Sequence, residues 1–342
     1  MTALMASVSL GKGEWTASWD EVVAPVKAFL VEVTALLNDQ VLEFEAEIAE
    51  YARYALDSQG KRLRPALVAL AGGAVGPMSG HHVSLAAIVE MIHLATLVHD
   101  DIMDGASIRR GRPSLAARWG SDVAVLVGDC LFAQALKLAA MLDSVDVCRS
   151  VALATHTVCA GEILQGHRRR RWSLTRPEYF KVLEMKTGEL FALACELGGR
   201  LSGATAVQRQ ALRRYGLALG TAYQVYDDVL DLYGKEDAAG KSLGTDLAKG
   251  RVTLPLMVFL ERASEGERGR MLGWLENWDP ARLGEARAML DKHDALGESR
   301  NAVQLLLNTA REAVSDLRDV PETRALLALP GFLARQTASM GP

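Results

Sequence analysis

Apolar residues recur at helical spacing along most of the chain, and the alternating pattern of β-strands is almost absent. The repeats predict helices over residues 19–57, 63–75, 81–104, 121–142, 147–170, 177–200, 207–233 and 252–264, with several more in the C-terminal third. Turn chemistry separates them at Gly72-Gly73, Gly76-Pro77, Gly111 to Pro113, Gly234 and Gly240. Thr175 and Glu178 have the spacing of a capping box that opens a helix. No linker interrupts the pattern, so we expect one all-α domain over residues 1–342, with residues 1–18 as a flexible N-terminal segment.

The predicted helix over residues 81–104 is apolar on almost every side, which is typical of a helix in a protein interior. A few polar residues interrupt it, and at about 100° per residue they project into one narrow sector. These residues are Glu90, His93, Asp100, Asp101 and Asp104. Ionised carboxylates in a core are costly without partners, so we expect this stripe to face a cavity that holds water, cations or both.

The predicted helix over residues 207–233 repeats this arrangement, with Gln224, Asp227, Asp228 and Asp231 on one face. Both helices carry the spacing DDxxD, which places carboxylates one turn apart, close enough to share a hard divalent cation. A single cluster of this kind is more often a solvated helix end, but two copies inside apolar helices favour a common site. Six carboxylates around one cavity would repel one another, and Mg²⁺, which commonly bridges carboxylates to substrate phosphates, would relieve that repulsion. The pattern therefore predicts a diphosphate site.

Basic residues occur where a diphosphate site needs them. They are Lys61 and Arg64 in GKRLRP, Arg109 and Arg110 directly after the first acidic motif, Lys186 in an apolar helix, and Lys241, Lys249 and Arg251. Any one of them could be a surface ion-pair partner, and Lys186 is the hardest to explain in that way. We interpret the arginines at residues 168–171 as a solvated helix end that complements the helix dipole, rather than as a nucleic-acid site.

Composition narrows the remaining classes of function. A formal net charge of -4 gives the chain no general attraction to nucleic acid. The four cysteines show no CxxC spacing and are expected to be reduced and packed. The N-terminus lacks the features of a secretory signal, and no apolar run approaches the ~18 residues of a membrane span. We therefore expect a cytoplasmic protein with no transmembrane segment.

Six segments in a specific order resemble the trans-isoprenyl diphosphate synthases, and more closely the long-chain type such as the octaprenyl and solanesyl diphosphate synthases. The segments are residues 60–65, 99–113, 128–132, 186–191, 223–234 and 240–251. The resemblance implies the isoprenoid synthase fold, an antiparallel helix bundle around a deep central cavity, and a homodimer. It also implies a prenyltransferase that joins isopentenyl diphosphate head-to-tail to an allylic diphosphate starter and repeats this 1'-4 condensation. The all-trans product is expected to leave through a transient membrane contact.

The resemblance assigns roles to individual residues. Catalytic roles would fall to Asp100, Asp104, Lys186, Asp227 and Lys241. Three Mg²⁺ ions per active site would be held by Asp100, Asp101, Asp104, Asp227, Asp228 and Asp231. The allylic diphosphate would bind Arg109, Lys186, Thr187, Gln224 and Lys241, and isopentenyl diphosphate would bind Lys61, Arg64, His93 and Arg110. Arg251 would also bind substrate, at a position where the family more often has lysine.

The length of the product is expected to depend on the floor of the cavity below Asp100. Ala95 and Thr96 stand about one turn before this residue and are small, where short-chain relatives often carry an aromatic ring. Ile92 and Ile88 lie deeper and could narrow the path. Counting about one isoprene unit per 5.4 Å turn predicts a product of roughly C30–C50, centred near C40.

Three alternatives stay open from the sequence. A geranylgeranyl or farnesyl diphosphate synthase would use the same chemistry and differ only in the cavity floor. A class I terpene cyclase is disfavoured because the second metal motif is rich in aspartate. A non-catalytic synthase subunit is disfavoured because no acidic or basic motif is missing.

Overall fold

The computed structural model describes residues 18–57, 60–234 and 243–340, and within these ranges almost all regular structure is helical. The α-helices are α1 Trp19–Val23, α2 Lys27–Leu42, α3 Ala46–Leu56, α4 Leu63–Val75, α5 Gly80–Met103, α6 Leu115–Trp119, α7 Ser121–Ala140, α8 Val145–His167, α9 Arg176–Leu183, α10 Glu189–Leu201, α11 Ala206–Tyr233, α12 Thr245–Ala248, α13 Leu254–Arg262, α14 Glu265–Glu276, α15 Leu283–Lys292, α16 Ala295–Ala313 and α17 Pro321–Ala338. Lys241, Gly240 and the N-terminal residues 1–17 lie outside the described residues, as does the pair 58–59. The predicted all-α fold is confirmed.

Most predicted helices are found within one to three residues of their expected ends, because capping residues define them. Thr175 opens α9 as predicted, since the Glu178 carboxylate accepts hydrogen bonds from the Thr175 backbone N–H at 3.0 Å and from its hydroxyl at 2.8 Å. Thr205 and Gln208 form the same arrangement at the start of α11.

Three details of the predicted helices were wrong. The segment 19–57 is divided by a 3₁₀ turn that contains Pro25 and by a turn at residues 43–45. Gly72 and Gly73 lie inside α4.

The third detail concerns the arginine run. The helix predicted over residues 147–170 ends at His167, so residues 168–171 are a connection between α8 and α9. Arg170 has a φ of 58°, in the left-handed region that a continuing right-handed helix excludes.

The core helices place the two acidic motifs at one end of the bundle. α5 packs against α7 and α4, and α10 packs against α4 and α11. The side chains of Leu85, Ile88 and Ile92 on α5 are fully buried, so apolar burial along this helix is the main force that holds it in the interior. Arg251 contacts both Asp104 after α5 and Asp246 in α12, and the Asp246 backbone N–H donates to Asp231 near the end of α11. The C-terminal ends of α5 and α11 therefore lie together.

A small β-hairpin follows the first acidic motif. Its strands, β1 Ile108–Arg109 and β2 Arg112–Pro113, pair antiparallel with Arg109 opposite Arg112. The turn residues Arg110 and Gly111 both have positive φ values, 51° and 77°, as a tight two-residue turn with the twist of a hairpin requires. The hairpin directs Arg109 back to the end of α5.

Two helices are long and apolar enough to cross a membrane, Gly80–Met103 and Ser121–Ala140. Neither helix is an uninterrupted apolar run, but scattered single polar residues do not lower the mean hydropathy of a window by much. In the bundle, 67% of the α5 window and 44% of the α7 window are buried against other helices. Burial in a core explains the composition of α5, whereas α7 leaves apolar side chains uncovered.

Candidate active site

Lys186 lies beside the first carboxylate of the first acidic motif. Its Nζ atom is 3.6 Å from an oxygen of Asp100, donates a hydrogen bond to the Gln165 side chain at 3.0 Å, and makes an ion pair with Glu162. The lysine side chain is only 15% exposed, so the ammonium needs these partners to remain charged. The predicted proximity of Lys186 to the acidic motif is present, and Glu162 is an additional carboxylate that sequence reasoning missed.

A single π-helical turn, Glu184–Gly188, presents Lys186 and Thr187 to the site. The turn interrupts the α-helical hydrogen bonds between α9 and α10, and such turns occur frequently at functional sites. Gly161 of α8 allows the close approach, since a Cβ atom there would lie 2.7 Å from the Lys186 backbone nitrogen. Neither the turn nor this contact has a recognisable sequence pattern.

Three cations surround Asp104, the last carboxylate of the first motif. The guanidinium of Arg251 is 2.5 Å from its carboxylate, Lys249 Nζ is 3.3 Å away, and Arg169 Nη2 is 3.6 Å away. Arg251 also contacts Asp246 at 3.1 Å and thereby connects the first motif to α12. Arg169 was not among the predicted site residues. It comes from the arginine run that we interpreted as a solvated helix end, and the structure corrects that interpretation.

The middle carboxylate, Asp101, is turned toward the hairpin. Two nitrogens of Arg109 approach the same Asp101 oxygen at 2.6 Å, and the Asp101 side chain is only 6% exposed. A small cleft lies beside this pair, between α5, α3 and the hairpin, and is lined in part by Leu94, Val98 and Tyr54. Arg109 is thus held by Asp101.

The second acidic motif is tied to its neighbours by short hydrogen bonds. The Tyr179 hydroxyl donates to one oxygen of Asp228 at 2.6 Å, and the Gln224 amide donates to the other at 3.0 Å. Thr187 donates to Gln224 at 2.7 Å and so joins the π turn to this network. The expected grouping of Thr187, Gln224 and the motif is present, and Tyr179 is a partner that the sequence did not suggest.

Asp231 occupies a different environment from its two companions. It is fully buried, and its carboxylate accepts hydrogen bonds from the Thr245 hydroxyl at 2.7 Å and from the Asp246 backbone N–H at 2.9 Å. Asp231 therefore satisfies donors in the first turn of the short helix α12. Asp227, one turn before it, is only half buried.

The charges of the site perturb one another strongly. Burial raises the pKa of Asp100 to about 6, and the nearby Glu162 and Asp104 add to this effect. Burial and Asp246 raise the pKa of Asp228 to about 8. Burial would also raise the pKa of Asp104, but Arg251 and Lys249 outweigh it, so the net shift is downward. Asp100 thus has a raised pKa, whereas Asp104, one turn away, has a lowered pKa. Such opposite shifts are typical of a site where several carboxylates lie together and nearby cations neutralise only some of them.

A second cationic cluster lies around the start of α4. The Arg64 guanidinium stacks over the Phe191 ring at 4.6 Å, and Lys61 Nζ lies 5.0 Å from the centre of the Phe332 ring. The guanidinium of Arg110 lies against Gly60, where a Cβ atom would be 2.6 Å from it. Burial and the charges of Arg64 and Arg110 lower the pKa of His93 well below its usual value, so its imidazole is neutral near pH 7. Arg64, Arg110 and His93, three of the four residues expected to bind isopentenyl diphosphate, therefore lie close to one another, and Lys61 lies near the start of α4 against Phe332.

The residues expected to limit the product descend from Asp100 along α5. Thr96 is half buried, and its hydroxyl donates to the His93 carbonyl oxygen at 2.7 Å. Ala95, Ile92 and Ile88 are fully buried. In the part of the chain that the structure describes, no group of three His, Cys, Asp or Glu side chains is close enough to form a preassembled metal site.

Comparison with known proteins identifies the family. A family model described as polyprenyl synthetase matches residues 45–292. Nonaprenyl diphosphate synthase of Mycobacterium tuberculosis is 34% identical over 333 residues and covers 96% of each chain, and geranylgeranyl diphosphate synthase of Methanosarcina mazei is 35% identical over 295 residues, 84% of this chain and 89% of that one. The crystal structure of a polyprenyl synthase from Caulobacter crescentus, complexed with calcium and isoprenyl diphosphate, is 33% identical with a TM-score of 0.89 and covers 93% of this chain and 97% of that one. The predicted relationship is confirmed, and the chain belongs to the polyprenyl synthetase family of prenyltransferases.

Proposed function

We propose that this enzyme is a Mg²⁺-dependent trans-polyprenyl diphosphate synthase that adds isopentenyl diphosphate repeatedly to an allylic starter. The observation that carries the proposal is the pairing of carboxylates and cations at one end of an apolar helix bundle. Asp100 and Asp104 face Lys186, Lys249 and Arg251 there, above the buried apolar face of α5. Carboxylates suit a hard cation, lysine and arginine suit phosphate oxygens, and the apolar interior suits an isoprenoid tail.

The donor set fits Mg²⁺ better than a softer metal. The candidate ligands are carboxylate oxygens, and Mg²⁺ usually binds one or two of these while it keeps water and substrate phosphate ligands. A site completed by the diphosphate needs no preassembled group of three protein ligands. Three ions per site, as inferred from the resemblance, would be shared between the two acidic motifs and the diphosphate oxygens. The Caulobacter relative with calcium and isoprenyl diphosphate supports a divalent ion beside this type of substrate.

The six aspartates are proposed to divide into two groups. Asp100, Asp104 and Asp227 would bind the metal ions directly. Both carboxylate oxygens of Asp228 and of Asp231 accept hydrogen bonds from neutral donors of the protein, and Asp101 is paired with Arg109 of the hairpin. We propose that these three position the ligands and the surrounding segments rather than bind metal themselves.

The protein side chains would then act on the allylic diphosphate in three ways. Lys186 and Arg251 would donate hydrogen bonds to its oxygens and stabilise the charge that builds as the C–O bond breaks. Bound Mg²⁺ would supply further neutralisation of that leaving group. Thr187 and Gln224 would orient the diphosphate, and the apolar side chains below Asp100 would keep water from the allylic cation. Lys61, Arg64, Arg110 and the neutral His93 would hold isopentenyl diphosphate with its double bond toward that cation.

A long product, roughly C30–C50, is the length that we propose. α5 extends about 30 Å from Asp100 to Gly80 at 1.5 Å per residue, which is the length of about six isoprene units at one unit per turn and corresponds to C30, the lower end of this range. Thr96 is small and half buried, and the first bulky side chains directly below it on α5 are Ile92 and Ile88. Relatives of similar identity are named for long and for short products, so side chains of this kind, rather than overall similarity, must decide the length.

We further propose that the enzyme is a cytoplasmic homodimer that touches the membrane only when product leaves. The support for a second copy is a set of exposed apolar side chains on the adjacent helices α7 and α8, including Leu126, Leu153 and Ile163, which are 61–71% exposed. A surface of this kind favours association with another protein.

The function is tested by incubating the protein with Mg²⁺, farnesyl diphosphate and labelled isopentenyl diphosphate, and sizing the products after dephosphorylation. We expect a ladder that ends well beyond C20. A Thr96→Phe variant should shorten the ladder while it retains incorporation, and Ser84→Ala on the outside of α5 serves as the control. A ladder ending at C20 would identify a geranylgeranyl diphosphate synthase, and no incorporation with any allylic starter would contradict the proposed reaction.

A further inference from the structure

Four consecutive arginines, Arg168 to Arg171, connect α8 to α9 and are here called the arginine segment. Three of them have partners elsewhere in the protein. Arg168 donates to the Glu178 carbonyl oxygen at 2.9 Å, and Arg171 makes an ion pair with the Glu178 carboxylate at 3.1 Å. The Arg170 backbone N–H donates to the Gly250 carbonyl oxygen at 2.7 Å. The arginine segment is thus attached both to α9 and to the turn that carries Lys249 and Arg251.

The remaining arginine points into the site. Arg169 Nη2 lies 3.6 Å from Asp104, which is too long for a strong hydrogen bond, and the side chain is about one-third exposed. Its Nε atom is buried and has no hydrogen-bond partner among the described residues. The guanidinium is therefore held near the acidic motif while much of its donor capacity is unused.

The balance of charge shows what would use that capacity. Near Asp104 the cations are Lys186, Arg169, Lys249 and Arg251, and the carboxylates are Asp100, Asp104, Glu162 and Asp246. These charges compensate one another only while no metal ion is present. Divalent ions bound to Asp100 and Asp104 would leave an excess of positive charge, and Arg169 would lose its acidic partner. A multiply charged anion at the same place restores the balance.

We propose that Arg169 is a further binding residue for the diphosphate of the allylic substrate, next to Lys249 and Arg251. This inference rests on the proposed function and extends it to a residue from the arginine segment. A guanidinium can form two parallel hydrogen bonds to phosphate oxygens, and Arg169 is placed for this without rearrangement of the backbone. The contact of Arg170 with Gly250 keeps Arg169 in register with the two neighbouring cations. Gly250 has a φ of 64°, and its missing side chain leaves room for Arg170 to lie against it.

Two variants and a matched control test the proposal. Arg169→Gln should weaken the binding of inorganic pyrophosphate in the presence of Mg²⁺ by about tenfold and raise KM for the allylic diphosphate by a similar factor. The KM for isopentenyl diphosphate should change less than twofold. Arg169→Lys keeps the charge and should recover most of the lost affinity. Arg171→Gln removes a charge from the same segment at a residue that pairs with Glu178 rather than Asp104. It should leave the pyrophosphate affinity and KM for the allylic diphosphate unchanged.

Calorimetry with pyrophosphate and steady-state kinetics separate the outcomes. Unchanged pyrophosphate affinity and unchanged KM in Arg169→Gln, with kcat alone reduced, would overturn the proposal and indicate a structural role. A lower Mg²⁺ requirement without any loss of pyrophosphate affinity would also overturn it, since Arg169 would then only compete for Asp104. If the unaltered protein binds pyrophosphate but incorporates no isopentenyl diphosphate, the proposed function fails, and the binding data still decide the role of Arg169.

Discussion

The aspartates of the two motifs share a spacing but differ in their surroundings. Asp104 is compensated by three cations, whereas Asp228 is buried with an uncharged phenol and an amide as its direct partners. Hydrogen bonds from neutral donors offset only part of the cost of burying a charge. The pKa of Asp104 is therefore lowered and that of Asp228 is raised. Shifts of this kind make the free energy of unfolding depend on pH, which can be measured.

We expect the metal-free protein to lose stability as the pH rises from about 4 to about 8, more steeply below pH 6, where both Asp100 and Asp228 contribute. The pKa of Asp100 is raised to about 6 and that of Asp228 to about 8, so the folded state holds protons that the unfolded chain has already released. Stability from such groups is complete below the unfolded pKa of about 4 and is lost as pH rises through the folded values. Thermal unfolding in EDTA from pH 5 to pH 8.5 measures this directly.

The Asp228→Asn variant isolates one of these contributions. Asparagine cannot ionise but can still accept the hydrogen bond from Tyr179. The melting temperature of the variant should therefore fall less steeply with rising pH than that of the unaltered protein. If the melting temperatures of the two proteins change in parallel with pH, Asp228 is already ionised near neutral pH in the unaltered protein.

Asp231 provides a test of the proposed division between metal ligands and positioning residues. Asp231→Asn should lower the free energy of unfolding by about 1 kcal/mol, because it removes an acceptor for the first turn of α12. Asp227→Asn should leave stability within about 0.5 kcal/mol and reduce kcat by at least about a hundredfold through loss of a metal ligand. The measurements are chemical denaturation and steady-state kinetics at saturating Mg²⁺. Equal losses of kcat with no difference in stability would place Asp231 among the metal ligands.

Helices and turns position these residues, and the π turn Glu184–Gly188 is the most sensitive of them. Gly161 of α8 faces its backbone, and a Cβ atom there would lie 2.7 Å from the Lys186 nitrogen. We expect Gly161→Ala to cost about 1–3 kcal/mol by overpacking and to displace Lys186 from Asp100 and Glu162. The activity should therefore fall by more than the loss of folded protein explains.

Gly166→Ala is the matched control for this prediction. It lies five residues further along α8, is exposed, and has no atom within 4 Å of its added Cβ. It should leave both stability and kcat almost unchanged. Circular dichroism and kinetics of the two variants decide the matter, and full activity in Gly161→Ala would mean that the π turn tolerates displacement.

The helices were predictable because local chemistry specifies them, whereas the π turn was not. Apolar periodicity and caps such as Thr175 and Thr205 define where a helix lies and where it begins. Residues 184–188 have no distinctive composition, and the turn that they form packs against α8 and α11. Tertiary contacts that local sequence does not encode therefore determined the placement of Lys186.

The acidic and basic motifs were predictable for a related reason, and their partners were not. Charged residues in an apolar helix stand out in the sequence, as Asp100 and Lys186 do. Glu162, Tyr179 and Arg169 come from helices and connections of mixed polarity, where a polar residue is unremarkable. Glu162 and Tyr179 could have been found by searching for polar side chains on the inner faces of α8 and α9. The path of the chain beyond His167, which brings Arg169 inward, required the structure.

Across the complete bundle, one end carries the charges and one side carries uncovered apolar surface. The acidic motifs, the π turn and the turn at residues 249–251 meet at the ends of α5 and α11, while exposed leucines and isoleucines line α7 and α8. The α7 window is apolar enough to span a membrane yet less than half buried. A second copy of the chain that covers this face would bury those side chains and explain the composition of α7 without a membrane.

The proposed homodimer predicts a specific response to charge on that face. The unaltered protein should run in light scattering at about twice its 37.0 kDa mass. Replacing both Leu126 and Leu153 by Glu should shift it to monomer at micromolar concentration, because each buried leucine contributes about 1.5–3 kcal/mol and two like charges would face their copies across the interface. Leu305→Glu on α16, a leucine of similar exposure that lies away from α7 and α8, should leave the mass unchanged. A monomeric unaltered protein with full activity would contradict the dimer, and would leave the apolar face of α7 and α8 for a different partner.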